Sequence, residues 1–297
     1  MTFSEQIKYQ FKNGGGHISL IYINIAVFVL VKAVAIVCKL FLLKGFTFTA
    51  ILAMPYDLHI LAAKFWTPIT YMFYHEDIWH ILFNMLWLYW FGMLFLSYFS
   101  GKQLVSVYVF GGLAAAAFYL LSFNTIPYYI SQFSSNSYML GASGAIMAVV
   151  VAVAVWQPNA QIRLLFIGAV KLKYIAIVFV LLSFFKLTGG NAGGEVAHLG
   201  GAAAGWLFAF CLKKKNTDIT VWVTRVIDWF ATIFRPRKQP KLKFTKHDYS
   251  RMTDAEFNMN KAQNAEQIDR ILDKIKASGY ESLTNEEKQF LFSQGKK

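Results

Sequence analysis

Charged side chains are scarce in this chain: Asp, Glu, Lys and Arg make up 15% of its 297 residues. A soluble domain carries about 25%, so a soluble protein is excluded for most of the length. Cysteine is scarcer still, with Cys38 and Cys211 alone. They fall near the ends of the first and last apolar segments, which the topology below puts near opposite membrane faces, too far apart for a disulfide, so both read as packing residues. Internal repeats, zinc-ligand spacings and nucleic-acid-binding motifs are also missing. The net charge of +13 is therefore not read as a nucleic-acid footprint. The basic residues gather beside apolar segments, where anionic lipid accounts for them. No cleavable signal peptide is expected. Residues 1–16 are polar, and the span that follows is too long for a signal sequence and lacks a small-residue cleavage site.

What is present is apolar: 56% of the residues are hydrophobic, and the mean hydropathy is +0.42. Most of the charge lies after Lys213. About 20 apolar residues cross a bilayer, which predicts an all-α polytopic membrane protein. Its six transmembrane helices are expected at residues 18–43, 79–99, 104–123, 141–156, 171–186 and 195–212. The expected organisation is a cytoplasmic segment at 1–17, a six-helix membrane domain at 18–212, a basic amphipathic linker at 213–246 and a small cytoplasmic helical hairpin at 247–297. Lys32 in the first span should face protein or water, and Lys39 can snorkel. The loop at 44–78 is rich in aromatics, so it should lie partly in the membrane, buried against protein or lining a wet cavity.

Orientation follows the rule that Lys and Arg accumulate on the cytoplasmic side. Lys8, Lys12, Lys102, Arg163, Lys171, Lys173 and Lys213 to Lys215 fall on one side, against Lys44, Lys64 and Lys186 on the other. Both termini are therefore expected in the cytoplasm, in a multi-pass protein of the inner cell membrane. Residues 217–234 alternate apolar and polar faces at a helical period and predict a helix lying at the membrane surface. In the tail, Asn264 is expected to start a helix that Gly279 ends. Thr284 and Glu287 have capping-box spacing ahead of a second helix.

Three spans bring polar groups to one end. His80 and Asn84 are four apart and share a helix face on the second. Gly141-Ala142-Ser143-Gly144 opens the fourth, and Ala197-His198 lies near the start of the sixth. Ionisable groups inside a membrane are expensive and read as functional. A serine becomes a nucleophile when a neighbouring imidazole accepts its proton, and the oxyanion formed on attack needs fixed donors. This is the layout of acyl transfer, with Ser143 as nucleophile and His198 as general base and then acid. His80, Asn84 and the Ser143 backbone N–H are the candidate oxyanion donors. Gly141 and Gly144 let backbone and substrate approach Ser143. Gly201 and Gly205, and Gly144 with Ala148, make small-residue faces on which two membrane helices can close up. Glu195 lies three residues before His198, nearer the interface, so a dyad is expected rather than a triad.

These residues resemble the motifs of the rhomboid intramembrane serine proteases: His-x-x-x-Asn at His80 and Asn84, Gly-x-Ser-Gly at Gly141 to Gly144, and Ala-His-x-x-Gly-x-x-x-Gly at Ala197, His198, Gly201 and Gly205. The resemblance covers residues 15–212. It implies a six-helix bundle in which a Ser143–His198 dyad cleaves transmembrane protein substrates near their outer ends. It also implies a gate at helix five and the loop at 187–194, where Gly189, Gly190, Gly193 and Gly194 give mobility. The tail looks like the cytoplasmic appendage of some bacterial members. Two positions depart from the family pattern. Trp66 is followed by Thr67 rather than arginine, so the loop must be anchored differently. Met147 stands where an aromatic often stacks on the histidine; a thioether packs there less rigidly. His75 matches another loop histidine and reads as structural. No cofactor or nucleic acid is implied, and water is the second substrate. The alternatives are a non-catalytic rhomboid-like binder of membrane helices and a small-solute transporter, for which no inverted repeat speaks.

Overall fold

Ser143 to Trp156 is built almost entirely of Gly, Ala, Val and Ile, and most of it is buried inside the membrane bundle. The computed structural model describes residues 15–43, 47–133, 137–164, 168–233 and 254–294. Expectations resting on Lys8, Lys12, Lys44, Phe46, Phe234 and the basic stretch Arg235 to Lys238 lie outside those residues. The chain divides into two units, Met1–Arg235 and Pro236–Lys297.

In the first unit, α1 (Gly15–Leu40) is a long apolar helix. The long loop then forms α2 (Phe48–Leu52), β1 (Met54–Pro55), α3 (Leu58–Ala63), α4 (Thr67–Thr70) and a 3-10 turn at Tyr71–Phe73. Next come α5 (Ile78–Leu96), α6 (Gly101–Thr125), α7 (Pro127–Gln132), β2 (Tyr138–Met139) and α8 (Ser143–Trp156). A hairpin of β3 (Gln161–Leu164) and β4 (Gly168–Lys171) leads to α9 (Leu172–Phe185), α10 (Ala192–Lys215) and α11 (Val221–Ile233). The protein is an all-α membrane bundle. Helices α1, α5, α6 and α10 are long and apolar enough to cross a bilayer, and α8 and α9 are shorter apolar helices. At 14 residues each, α8 and α9 reach about 21 Å, short of a hydrocarbon core of about 30 Å. For α8 this is tolerable because protein surrounds it: eleven of its residues are buried.

The bundle closes where glycines remove side chains. A Cβ on Gly201 would collide with the Gly144 carbonyl, and one on Gly205 with the Ala148 carbonyl, so α10 and α8 touch backbone to backbone. A Cβ on Gly111 would strike the Ala148 methyl, which brings α6 equally near. These contacts are dispersive, and in lipid such packing replaces the hydrophobic drive available in water.

The long loop is tied to the bundle by hydrogen bonds. Tyr71 Oη donates to the Gly112 carbonyl at 2.6 Å, and Tyr108 Oη to the Met72 carbonyl at 3.0 Å. Thr67, fully buried, donates to the Lys64 carbonyl at 2.8 Å. Trp66 Nε1 reaches the Ile51 carbonyl at 2.8 Å, and Thr70 the Leu52 carbonyl at 2.8 Å. A Thr at position 67 thus secures the loop through short local bonds. β1 pairs antiparallel with β2, Met54 opposite Met139, and so clips the loop to the segment before Ser143. Lys32 donates to the Glu76 carbonyl and lies over the Phe28 ring, so it faces protein. Cys38 and Cys211 are free, half-buried thiols.

Two expectations are corrected. The sixth span starts at Ala192 rather than 195, which places Gly193 and Gly194 in its first turn; Gly189 and Gly190 precede it. Between the fourth and fifth spans, β3 pairs antiparallel with β4, with Leu164 opposite Gly168 at φ +90°. In the second unit, α12 (Asp254–Ser278) begins ten residues before Asn264, because Asp254 opens a run of good helix formers. Gly279, at φ +77°, does end it. Thr284 and Glu287 exchange both capping bonds, at 2.7 and 3.3 Å, ahead of α13 (Asn285–Gln294). Lys274 holds the Glu287 carboxyl below its ordinary range.

Candidate active site

Ser143 is the first residue of α8. Helix geometry leaves the N–H groups of that first turn without intrahelical partners. The residue before the approach is fixed by Gly141, whose φ of +104° favours glycine. A Cβ there would also lie 2.6 Å from His80 Nε2. Only a glycine lets the imidazole of α5 come so close to the serine-bearing turn. The Gly141 N–H donates to the Tyr71 carbonyl at 2.9 Å.

Two cavities meet at Ser143. One, of about 340 Å³, is lined by Ser143, Asn84, Met147, Ser183, Glu195 and His198, with Trp87 and Phe179 among its apolar walls. The other, of about 470 Å³, is more polar and is lined by Ser143, His80, Glu76, Tyr119, Ser137 and Gly190. The sequence-predicted residues are therefore divided: Ser143, Asn84 and His198 share the first cavity, while His80 opens on the second. Asn84 is buried and spends one amide hydrogen on the His80 carbonyl at 2.8 Å. Met147 lines the wall beside His198, where an aromatic was the family expectation. Trp87 of α5 and Phe179 of α9 meet edge to face at 4.8 Å on its lateral side.

Among the described residues, no hydrogen bond joins Ser143 to His198. His198 Nδ1 is instead 3.0 Å from Ser183 Oγ of α9 and 3.3 Å from Glu195 Oε2 of its own helix. This corrects the expectation that no carboxylate reaches His198. Because α10 starts at Ala192, Glu195 sits in its first turn, and the i,i+3 spacing turns its carboxylate inward onto the ring. Ser183 is the site residue that the sequence reading missed.

His75 lies behind the site. It is fully buried, stacks edge to face on His80 at 5.0 Å, and accepts from the Ala142 N–H at 3.4 Å through Nε2. Burial, aided by His80, pushes its pKa down to about 4, so it stays neutral and keeps the acceptor lone pair this bond needs. Asp77 caps α5 by accepting from the His80 N–H at 2.9 Å, which lowers its own pKa. Among the described residues, no three His, Cys, Asp or Glu side chains converge as a metal centre requires.

The turn before α10 is held by α7. Tyr128 Oη donates to the Thr188 carbonyl at 2.9 Å and Tyr129 Oη to the Leu187 carbonyl at 3.0 Å. Tyr129 is itself stacked on Phe123 at 4.6 Å.

Comparison with known proteins places this geometry in a family. A family model described as Rhomboid domain matches residues 62–215. Residues 252–295 match a family of unknown function (DUF6576). A mitochondrial RHOMBOID-like protein 12 from Arabidopsis thaliana is 34% identical over 145 residues. That match covers 46% of this chain and 43% of the plant protein, so the two are alike over less than half of either length.

Proposed function

Taking as premise that the chain belongs to the rhomboid family, we propose that it is an intramembrane serine endopeptidase acting on transmembrane protein substrates in the lipid bilayer. Ser143 Oγ attacks the scissile carbonyl carbon while His198 Nε2 takes its proton. The oxyanion is met by Asn84, His80 and the Ser143 N–H. His198 then gives the proton to the leaving amine, and water repeats the sequence on the acyl-enzyme.

The observation that carries the reading is the shared cavity. Ser143, His198 and Asn84 line one space at the point where α8 and α10 touch backbone to backbone. A direct Ser143–His198 bond is not required beforehand, since catalytic hydrogen bonds often tighten only on substrate binding. A non-catalytic binder of membrane helices would also lack that bond, and labelling separates the two. A fluorophosphonate should modify the purified, detergent-solubilised protein. Ser143→Ala should abolish labelling, and His198→Ala should slow it by about 10³-fold or more. Labelling that persists in Ser143→Ala rejects the nucleophile. A folded wild type that never labels favours the binder.

The reading extends to the whole chain. The catalytic domain is residues 18–212, residues 213–246 are a basic linker, and residues 247–297 form a separate cytoplasmic module. The termini face the cytoplasm of the inner cell membrane, which puts the Ser143 end of the bundle outside.

A further inference from the structure

Glu195 and Ser183 both approach one atom, His198 Nδ1, at 3.3 and 3.0 Å. Both side chains are buried, in residues 8% and 3% exposed. A carboxylate inside a membrane bundle is costly to keep. A favourable charge at the α10 N-terminus would explain an acid in the first turn, but it would not require that acid to turn onto the imidazole. The two neighbours also differ chemically. A carboxylate only accepts, so a ring bound to Glu195 carries its proton on Nδ1 and keeps a lone pair on Nε2. A hydroxyl donates or accepts, so Ser183 by itself leaves the tautomer open.

We propose that Glu195 is a positioning residue for His198, holding Nδ1 so that Nε2 faces Ser143, and that Ser183 of α9 competes with it for that nitrogen. The inference rests on the reading of Ser143 and His198 as nucleophile and base. The charged or titratable groups around the ring are Glu195 on its own helix, Lys186 at the end of α9 and His80 of α5. The α8 wall, formed by Ser143, Ile146, Met147 and Val150, contributes no charge. Ser183 belongs to α9 and Glu195 to α10, so the two neighbours reach the ring from different helices.

The test is fluorophosphonate labelling of the full-length protein, read as a maximal rate and a half-saturating concentration. In Glu195→Gln the maximal rate should fall about tenfold or more, with half-saturation changed by less than about threefold. A wild-type maximal rate, or a loss that appears in half-saturation instead of the maximal rate, overturns the proposal, since a carboxylate that only shapes the cavity would change binding rather than the chemical step. If Glu195→Gln does not fold, Glu195→Asp carries the test. Its carboxylate is one methylene shorter and misplaced from Nδ1, so the maximal rate should fall about threefold or more with half-saturation kept, and a wild-type maximal rate overturns the proposal. Labelling in Ser143→Ala would sink the underlying reading, whereas Ser143-dependent labelling indifferent to Glu195→Gln sinks this inference alone.

Discussion

Gly201 and Gly205 decide how near α10 comes to α8, and therefore how near His198 comes to Ser143. A methyl at Gly201 would overlap the Gly144 carbonyl one residue after the serine. Backbone cannot swing away as a flexible side chain can, so the helices must part. Overpacking of this kind costs about 1–3 kcal/mol. Gly201→Ala should therefore lower the melting temperature in detergent and slow labelling at Ser143 together. Gly190→Ala is the control, because nothing lies within 4 Å of a Cβ there. Equal melting of the two variants would show that the glycine contact does not hold the site. At this scale much was legible. Ser143, His198, His80 and Asn84 stand out because polar residues in apolar spans are few. Glu195 reads as too near the interface when the helix is started at 195, three residues after its true start at Ala192. Its i,i+3 spacing to His198 was the available signal. Ser183 carried none, since a lone serine in an apolar helix is ordinary and only packing of α9 on α10 brings it to the ring.

Among elements, α7 has more consequence than its length suggests. Its two tyrosines hold the carbonyls of Leu187 and Thr188, just before α10. The turn between α9 and α10 is thus fastened from the side. A net hydrogen bond contributes about 1 kcal/mol, or roughly fivefold in an opening equilibrium. Tyr129→Phe keeps the ring stacked on Phe123 and removes only the bond. Amide exchange in the turn at 187–191 should accelerate about fivefold, with exchange in α8 unchanged. Equal rates in variant and wild type would leave the tyrosines as packing alone. The apolar helices were readable from hydropathy and the second-unit cap from its Thr284–Glu287 spacing. The β3–β4 hairpin and α7 were not. Both are short, and their pairing partners or docking sites lie in the tertiary structure rather than in a local period. The helix at 221–233 was legible as amphipathic. What the period could not give is the use of its polar face: Asp228 meets Lys102 at 2.7 Å and Thr224 meets Ser106 at 2.7 Å on α6. Trp222, Trp229 and Phe230 are left exposed on the other side.

For the first unit as a whole, the two ends of the bundle differ in charge. Lys102 begins α6, close to the start of α1, where Gly16 packs on Gly101. Lys213 at the end of α10 donates to the Trp156 carbonyl at the end of α8 at 3.1 Å. Lys214 and Lys215 follow it, and Arg163 and Lys171 lie in the β3–β4 hairpin beyond α8. The opposite end holds the α5, α8 and α10 N-termini and the site, with Lys32, Lys39, Lys64 and Lys186 as its described basic residues. Each Lys or Arg beside an anionic leaflet contributes about 1 kcal/mol, and this asymmetry is what supports the proposed orientation, with the basic end in the cytoplasm. The expectation can be checked with single cysteines in a Cys38→Ser, Cys211→Ser background. A thiol introduced by Gly190→Cys should react with an impermeant maleimide on intact cells. One introduced by Thr217→Cys should react only after the membrane is opened. The reverse pattern would put Ser143 at the cytoplasmic face, and substrates would then have to present their scissile bonds from the inside.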